Sequence, residues 1–544
     1  MRISGRSVAR PLVAATAAAV VITGAPPAAL AHERGGPPLT PKTQFTMQPD
    51  GSSGTRGGDR IPNIDSVKAT IRTYYDATDG IANKTASPYI TEMGAITTSA
   101  LATLPAVDPA AKKAIVLDAD DTLLWTYDME DAAMHFTFDP ALQNTWVQEQ
   151  RFPATPSMVD FVAAVRAKGY SVFGLTGRNA GQEEATLANL AKVGYAGFTA
   201  DNFFTKWVAP AAQPSYVTCA AAACTTVEYK AGTRKHIEQD LGYDIVLNVG
   251  DQWSDLQGGF ADATLKLPNP TYFLPSPDLD GTPADVAFSP RTKFTMQPDG
   301  SSGKTEGGEG IPNIDIVKTT IRTYYNATNG IANKSTSPYI TQMNRLTGIW
   351  ARQVRRSCAQ YTRVKVKHGK HHHIKHRKAA IVLDADDTTL WTYDMEDAAM
   401  RFTFDPALQA EWVKDRRFPA TPRMKRVVRA AERGGCRIFG VTGRNDAQKY
   451  DTVRNLNKLY GAGTFRPRHY FTKWTGTGKS QQPSYITCAA EKCSTIEYKS
   501  QTRRHIQKDL GFTVLANFGD QYSDLIGGYA RRWYKLPNPT YYLP

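Results

Sequence analysis

The sequence repeats itself, and the length of the repeat restricts what can fold. The decapeptide Phe45–Gly54 recurs at Phe294–Gly303, and Ile61–Asp65 recurs at Ile311–Asp315. Trp125–Asp131 returns at Trp391–Asp397, and Leu267–Tyr272 returns at Leu536–Tyr541. A unit of about 230–250 residues is far longer than a solenoid repeat and large enough for its own core. The chain therefore reads as two whole domains in tandem, at 61–275 and 311–544. A Pro/Gly/Ser-rich stretch at 276–310 reads as a semi-flexible linker, and 32–60 as a flexible N-terminal segment.

Composition matters here for what it excludes. At 41% hydrophobic and 21% charged, the 544 residues are neither disordered nor fibrous. Arg2, Arg6 and Arg10 precede an Ala/Val-rich stretch, and Ala29-Leu30-Ala31 follows it. This predicts a secretory signal peptide over 1–31 and hence an extracellular protein. A transmembrane anchor fits less well, because Pro26 and Pro27 break a short apolar core. No later segment approaches a membrane span. The net charge of +14 is local: Ile316 to Leu383 holds fourteen Lys/Arg and no Asp or Glu. A basic, His-rich insertion at about 361–378 accounts for much of it, read either as a solvated loop or as an anion- or metal-binding element. The rest is near neutral, so no specific nucleic-acid binding is expected.

Export permits disulfides. Cys219 and Cys224 stand in one unit where Cys488 and Cys493 stand in the other, which predicts a local disulfide in each; zinc lacks a second ligand pair nearby in sequence. Cys358 and Cys436 have no counterparts in the first unit and are expected to pair with each other.

Within each unit the elements alternate. Val67–Tyr75 has helical spacing, and Ala114–Leu117 reads as a buried strand. Thr155-Pro156 suggests a helix start, running to about Lys168, and Tyr170–Leu175 reads as a second strand. Thr233–Leu241 reads as helix and Ile245–Val249 as a third strand. Strand–helix alternation predicts an α/β fold with a mainly parallel, doubly wound sheet flanked by helices.

Each predicted strand ends in polar residues. The first ends at Asp118-Ala119-Asp120-Asp121-Thr122, the second at Thr176-Gly177-Arg178, and the third at Gly250-Asp251 with Asp255 beyond; Lys230 precedes the third. The second unit repeats the set as Asp384, Asp386, Thr442, Lys499, Asp520 and Asp524. Clustered carboxylates closing a buried strand need a cation, hydrogen bonds or a wet cleft, and ligands of such sheets sit beyond the strand ends. A calcium loop of the EF-hand type is excluded, since Leu123 and Met129 occupy the positions that need Gly and Glu.

Asp-x-Asp-x-Thr, then Thr, Lys and Gly-Asp-x-x-x-Asp, in that order and twice, resembles the haloacid dehalogenase (HAD) superfamily, and more closely its acid phosphatase branch, which includes plant vegetative storage proteins. The tract Tyr229–Leu256 is especially similar. The resemblance implies two Rossmann-like phosphatase domains that hydrolyse small phosphate monoesters. It implies that Asp118 and Asp384 are nucleophiles, and that Asp120 and Asp386 shuttle the proton. Thr176 and Thr442 would hold a phosphoryl oxygen, and Lys230 and Lys499 would offset the nucleophile's charge. Mg²⁺ would be bound by Asp118, the main-chain carbonyl of Asp120 and Asp251, and by Asp384, Asp386 and Asp520 in the second unit. Asp255 and Asp524 would support the metal water or the lysine. Arg178 either meets phosphate or braces neighbouring acids, and Asp121 and Asp387 receive no role. Two rivals remain: a non-catalytic storage or binding protein with this fold, and a protein acting through the basic insertion.

Overall fold

A computed structural model of the chain describes residues 49–207, 213–275, 298, 300–368, 371–474 and 482–543. The expected signal peptide, the first part of the 32–60 segment and most of the 276–310 stretch lie outside the described residues.

Each unit is built on a five-stranded, all-parallel sheet. In the first unit Lys113–Leu117 is central. Ser171–Asn179 and Phe203–Lys206 lie on one side of it, Asp244–Gly250 and Thr264–Lys266 on the other. In the second, Ala379–Leu383 is flanked by Arg437–Asn445 and Tyr470–Lys473, and by Thr513–Gly519 and Trp533–Lys535. These are two tandem α/β domains, as the alternation predicts. The sequence reading missed the short outer strands, whose few residues carry no periodicity.

The central strand is apolar throughout because both its faces are covered. Ile115 and Leu117 point into one core with Val67, Ile71, Met93 and Phe161. Ala114 and Val116, alternating with them, point into another with Tyr229 and Ile237. The larger core is continuous from one unit into the other: Ile64, Val67, Ile314 and Val317 belong to one buried cluster.

Two predicted boundaries move. The helix expected from Thr155 begins at Met158, after Ser157 at φ +65°. The residue before a proline is pushed towards extended backbone, and Thr155 N donates to the Leu123 carbonyl at 3.0 Å, so this stretch pairs before it coils. The helix expected from Thr233 begins at Thr226, so Lys230 lies within it rather than ahead of it. The cause is a reciprocal cap between Thr225 and Glu228, a pattern legible in the sequence.

The repeated Phe45–Gly54 and Phe294–Gly303 tracts end in arms that cross over. Thr55, by its backbone N and its hydroxyl, donates to Gln342 of the second unit at 3.0 and 3.2 Å, and Lys304 N donates to Glu92 of the first at 3.0 Å. Lys535 Nζ reaches the Ser52 carbonyl at 3.1 Å, and Lys266 Nζ reaches that of Ser301 at 2.9 Å. Residues 49–60, within the segment read as flexible, thus include a short hairpin, Thr55–Arg56 with Asp59–Arg60, seated on the other unit.

The extra residues of the second unit lengthen a helix to Pro338–Thr362, against Pro88–Thr103 in the first, and add the hairpin Arg363–His368 and His371–His376. Cys358 on that longer helix pairs with Cys436, and Cys219–Cys224 and Cys488–Cys493 pair as expected. Among the described residues no helix is long and apolar enough to cross a membrane.

Gly303 has φ +109°, and a Cβ there would stand 2.7 Å from the Tyr74 ring. Gly303→Ala should therefore lift the second arm off the first unit and destabilise the chain by about 1–3 kcal/mol. A lowered urea midpoint in equilibrium unfolding checks this; an unchanged midpoint would mean the arm is not packed there.

Candidate active site

Parallel strands bring all their carboxyl ends to one edge. Leu117 is in register with Gly174 and Val249, so Asp118, Thr176 and Asp251 emerge side by side where the chain order reverses about the central strand. Gly250 is required there: a Cβ on it would lie 2.4 Å from Asp255 Cβ, and one on Gly519 would lie 2.2 Å from Asp524 Cβ. The missing side chain lets the short helix Trp253–Leu256 fold back and aim Asp255 at the strand ends.

Carboxylate oxygens of Asp118, Asp251 and Asp255 lie within 4.8 Å of one another, as do those of Asp384, Asp520 and Asp524, and all six residues are buried. Lys230 Nζ donates to Asp118 and to Asp255, both at 2.6 Å. Lys499 makes the same pair of bonds, to Asp384 at 2.8 Å and to Asp524. Burial would pull the Lys230 ammonium's pKa down, but Asp118 and Asp255 outweigh it and hold it above its usual value. Burial and then Asp255 push the Asp118 carboxyl up against the pull of Lys230.

One lysine against three carboxylates leaves negative charge uncompensated. Asp251 Oδ2 accepts from Gln252 and Asn269, each at 2.8 Å, while Oδ1 is buried with no hydrogen-bond partner. An orphaned carboxylate oxygen inside an all-oxygen cluster fits a hard divalent cation. Asp520 differs slightly, since its Oδ1 accepts from Thr388 at 3.1 Å.

Asp120 stands apart from the cluster. Arg178 clamps it from Nη2 at 2.6 Å and from Nε at 3.1 and 3.2 Å, and anchors itself on Thr186 at 3.0 Å. Arg444 treats Asp386 and Thr452 the same way. Of the two roles considered for Arg178, the structure displays the bracing of an acid. Thr176 is fully buried, and its hydroxyl accepts from Arg178 N at 3.1 Å; Thr442 does the same at 3.3 Å.

Asp121, left without a role by the sequence, shapes the loop. At φ +48° it accepts from Thr126 N at 3.0 Å and from the Thr126 hydroxyl at 2.5 Å, and Asp387 binds Thr392 likewise. Arg234 and Arg503 were also missed. Arg234 is wholly buried and donates to the carbonyls of Asp255, Gln257 and Gly259, fixing the loop that carries Asp255. The signal for these residues was their recurrence at the same place in both units. The aromatic residues Trp125 and Tyr127 are core: Tyr127 stacks on Tyr75 with ring centroids 4.0 Å apart, and Trp125 packs on Tyr89 at 5.2 Å.

In the second unit Asp384, Asp386, Lys499 and Arg444 line a cleft of about 440 Å³, with Phe402 and Phe404 on its wall. Phe404 is 66% exposed, so the second site opens beneath an aromatic lip, and its counterpart Phe138 is 63% exposed. Glu396 lines the cleft too; burial and then Asp387 push its carboxyl well above the usual carboxylate range.

Removing one partner of a buried ion pair typically costs about 3–5 kcal/mol. Lys230→Met in chelator should approach that loss, with part regained when a divalent ion is added. Denaturant unfolding with and without the ion measures both, and an unaltered metal-free stability would show that Asp118 and Asp255 do not depend on the ammonium.

Comparison with known sequences gives one family: the HAD superfamily, subfamily IIIB (Acid phosphatase), matches residues 69–275 and 318–544. The stem 28 kDa glycoprotein of Glycine max is 32% identical over 25% of this chain and 50% of its own length. Acid phosphatase 1 of Solanum lycopersicum is 28% identical over 30% of this chain and 63% of its own. Vegetative storage protein 1 of Arabidopsis thaliana is 27% identical over 30% and 60%. The chain thus spans roughly half to three-fifths of these relatives' length. Among solved structures, the class C acid phosphatase from Bacillus anthracis aligns with 39% of this chain and 86% of its own, at 21% identity and a TM-score of 0.30.

Proposed function

Because this chain belongs to the HAD superfamily, subfamily IIIB (acid phosphatase), we propose that it is a secreted, Mg²⁺-dependent phosphomonoesterase with a working site in each unit. The observation that carries the reading is the doubled cluster, in which Lys230 and Lys499 each bridge the proposed nucleophile to a second buried carboxylate. Asp118 attacks phosphorus through a carboxylate oxygen, forming an O–P bond as the P–O bond to the alcohol breaks and the alcohol oxygen departs. Asp120 gives its proton to the departing alcohol, then takes one from the water that cleaves the aspartyl-phosphate. Thr176 and Lys230 hold the transferred group. Mg²⁺, bound by Asp118, Asp251 and the Asp120 carbonyl, would supply the charge neutralisation that phosphoryl transfer demands. The cleft suits a small phosphate monoester. The disulfides and the Arg-rich, Ala/Val-rich leader support export.

The rival is a storage protein, because relatives bear that name. Retention of Asp118 and Asp384, each bonded to its lysine, favours catalysis.

With p-nitrophenyl phosphate and Mg²⁺, the mature protein should release phosphate and stop in chelator. Asp118→Asn and Asp384→Asn should each remove part of the turnover, and the pair should lower it by at least about 10³-fold. Absence of turnover with every divalent ion tried would leave the storage reading.

A further inference from the structure

Two repeated motifs have so far served only to mark the duplication: Ile61–Asp65 with its copy Ile311–Asp315, and Leu267–Tyr272 with its copy Leu536–Tyr541. In the folded chain they meet, and each meets the copy belonging to the other unit. Asn63 Nδ2 donates to the carbonyls of Tyr541 at 2.7 Å and Asn538 at 3.2 Å. Ile64 N donates to the Pro539 carbonyl at 2.9 Å, and Tyr542 N donates to Asp65 Oδ2 at 3.0 Å. The reciprocal contact repeats every bond. Asn313 Nδ2 reaches Tyr272 at 2.7 Å and Asn269 at 3.2 Å, Ile314 N reaches Pro270 at 2.9 Å, and Phe273 N reaches Asp315 at 3.1 Å.

The tails seated in this way belong to the sites. Asn538 Nδ2 donates to Asp520 at 2.9 Å and the Tyr541 hydroxyl donates to it at 3.0 Å; Asn269 Nδ2 donates to Asp251 at 2.8 Å. The same helical turn touches the substrate wall: buried Lys68 donates to the carbonyl of Phe402, and buried Lys318 to that of Phe136. Asp65 itself lines the cleft of the second unit beside Asp384 and Asp386.

We propose that each active site is completed by the opposite unit: Asn63, Asp65 and Lys68 position the site built on Asp384, and Asn313, Asp315 and Lys318 position the site built on Asp118. Asn63 and Asn313 are positioning residues. They hold the tail whose asparagine orients the metal-binding aspartate, and outer bonds of this kind govern how well a carboxylate ligates. The lysines fix the turn that presents the aromatic wall. Neither unit is then a self-sufficient enzyme, although each carries every reacting group.

Asn63→Asp keeps the helix-capping oxygen, which accepts from Asp65 N and Ser66 N, and replaces the donor facing the other unit's carbonyls with an acceptor. The kinetic arm rests on the phosphatase reading. In full-length Asp118→Asn, turnover comes from the second site. There, Asn63→Asp should lower kcat and raise the Mg²⁺ needed for half-maximal rate by about tenfold, more than Asn313→Asp does. In Asp384→Asn the order of the two should reverse. Lys68→Met, which keeps the apolar stem, should act chiefly on KM of the second site. Effects that follow the unit carrying the substitution, in either background, would overturn the proposal. A second arm needs no turnover. Hydrogen exchange of the full chain should show Asn63→Asp opening the tail at 536–543 while 267–274 keeps its protection. If no substrate is ever turned over, the phosphatase reading falls and exchange alone decides; unchanged protection at 536–543 would sink the proposal.

Discussion

An ammonium group buried between two carboxylates governs the layout of each unit. Lys230 must come from a helix, Asp118 from the end of the central strand, and Asp255 from a short helix that folds back over Gly250. None of the three charges tolerates burial alone, because an unpaired ion in a low-dielectric interior is prohibitively unfavourable. The three elements are therefore held at one point by mutual need. The remaining carboxylate, Asp251, is left with one oxygen satisfied and one orphaned, and the charge surplus that suits a cation follows directly.

Around that triad the neighbouring residues brace rather than react. Arg178 holds Asp120 outside the cluster, Arg234 ties down the loop carrying Asp255, and Asp121 closes the turn that follows the central strand. The proposed chemistry needs Asp118 and Asp120 to behave differently, although only Ala119 separates them. The structure separates them by partner: a lysine shared with a second acid for Asp118, a bidentate guanidinium for Asp120. Two carboxylates in one loop acquire different surroundings because the strand end sends the first inward and the turn sends the second towards the neighbouring strand.

The sheet, its strand ends and the tandem arrangement were legible because they rest on local signals: an apolar run, a cluster of acids, a repeated phrase. The same is true of the three cysteine pairs, including Cys358–Cys436, which was inferred from two unmatched residues and is present. What escaped was of two kinds. Lys230 lies inside its helix because the Thr225–Glu228 cap starts that helix ahead of the apolar spacing seen from Thr233. Asn63, Asn269, Asn313 and Asn538 lie inside the repeats, and no local pattern supplies a role for them. Asn63 and Asn313 bond across to the other unit's tail, whose Asn538 and Asn269 hold that unit's own aspartates, and a sequence does not announce that one motif is the complement of another rather than merely its companion.

The second unit's longer helix and its basic hairpin have no counterpart in the first. Two identical subunits arranged about a two-fold axis would carry any such addition twice. A single polypeptide holding both halves is released from that bookkeeping: one half can acquire an appendage, and a disulfide to secure it, while the interlocked arms and tails stay matched. The duplication thus creates a molecule with two near-equivalent acidic clusters and only one decorated flank, so that orientation towards its surroundings becomes a property a symmetric pair could not have.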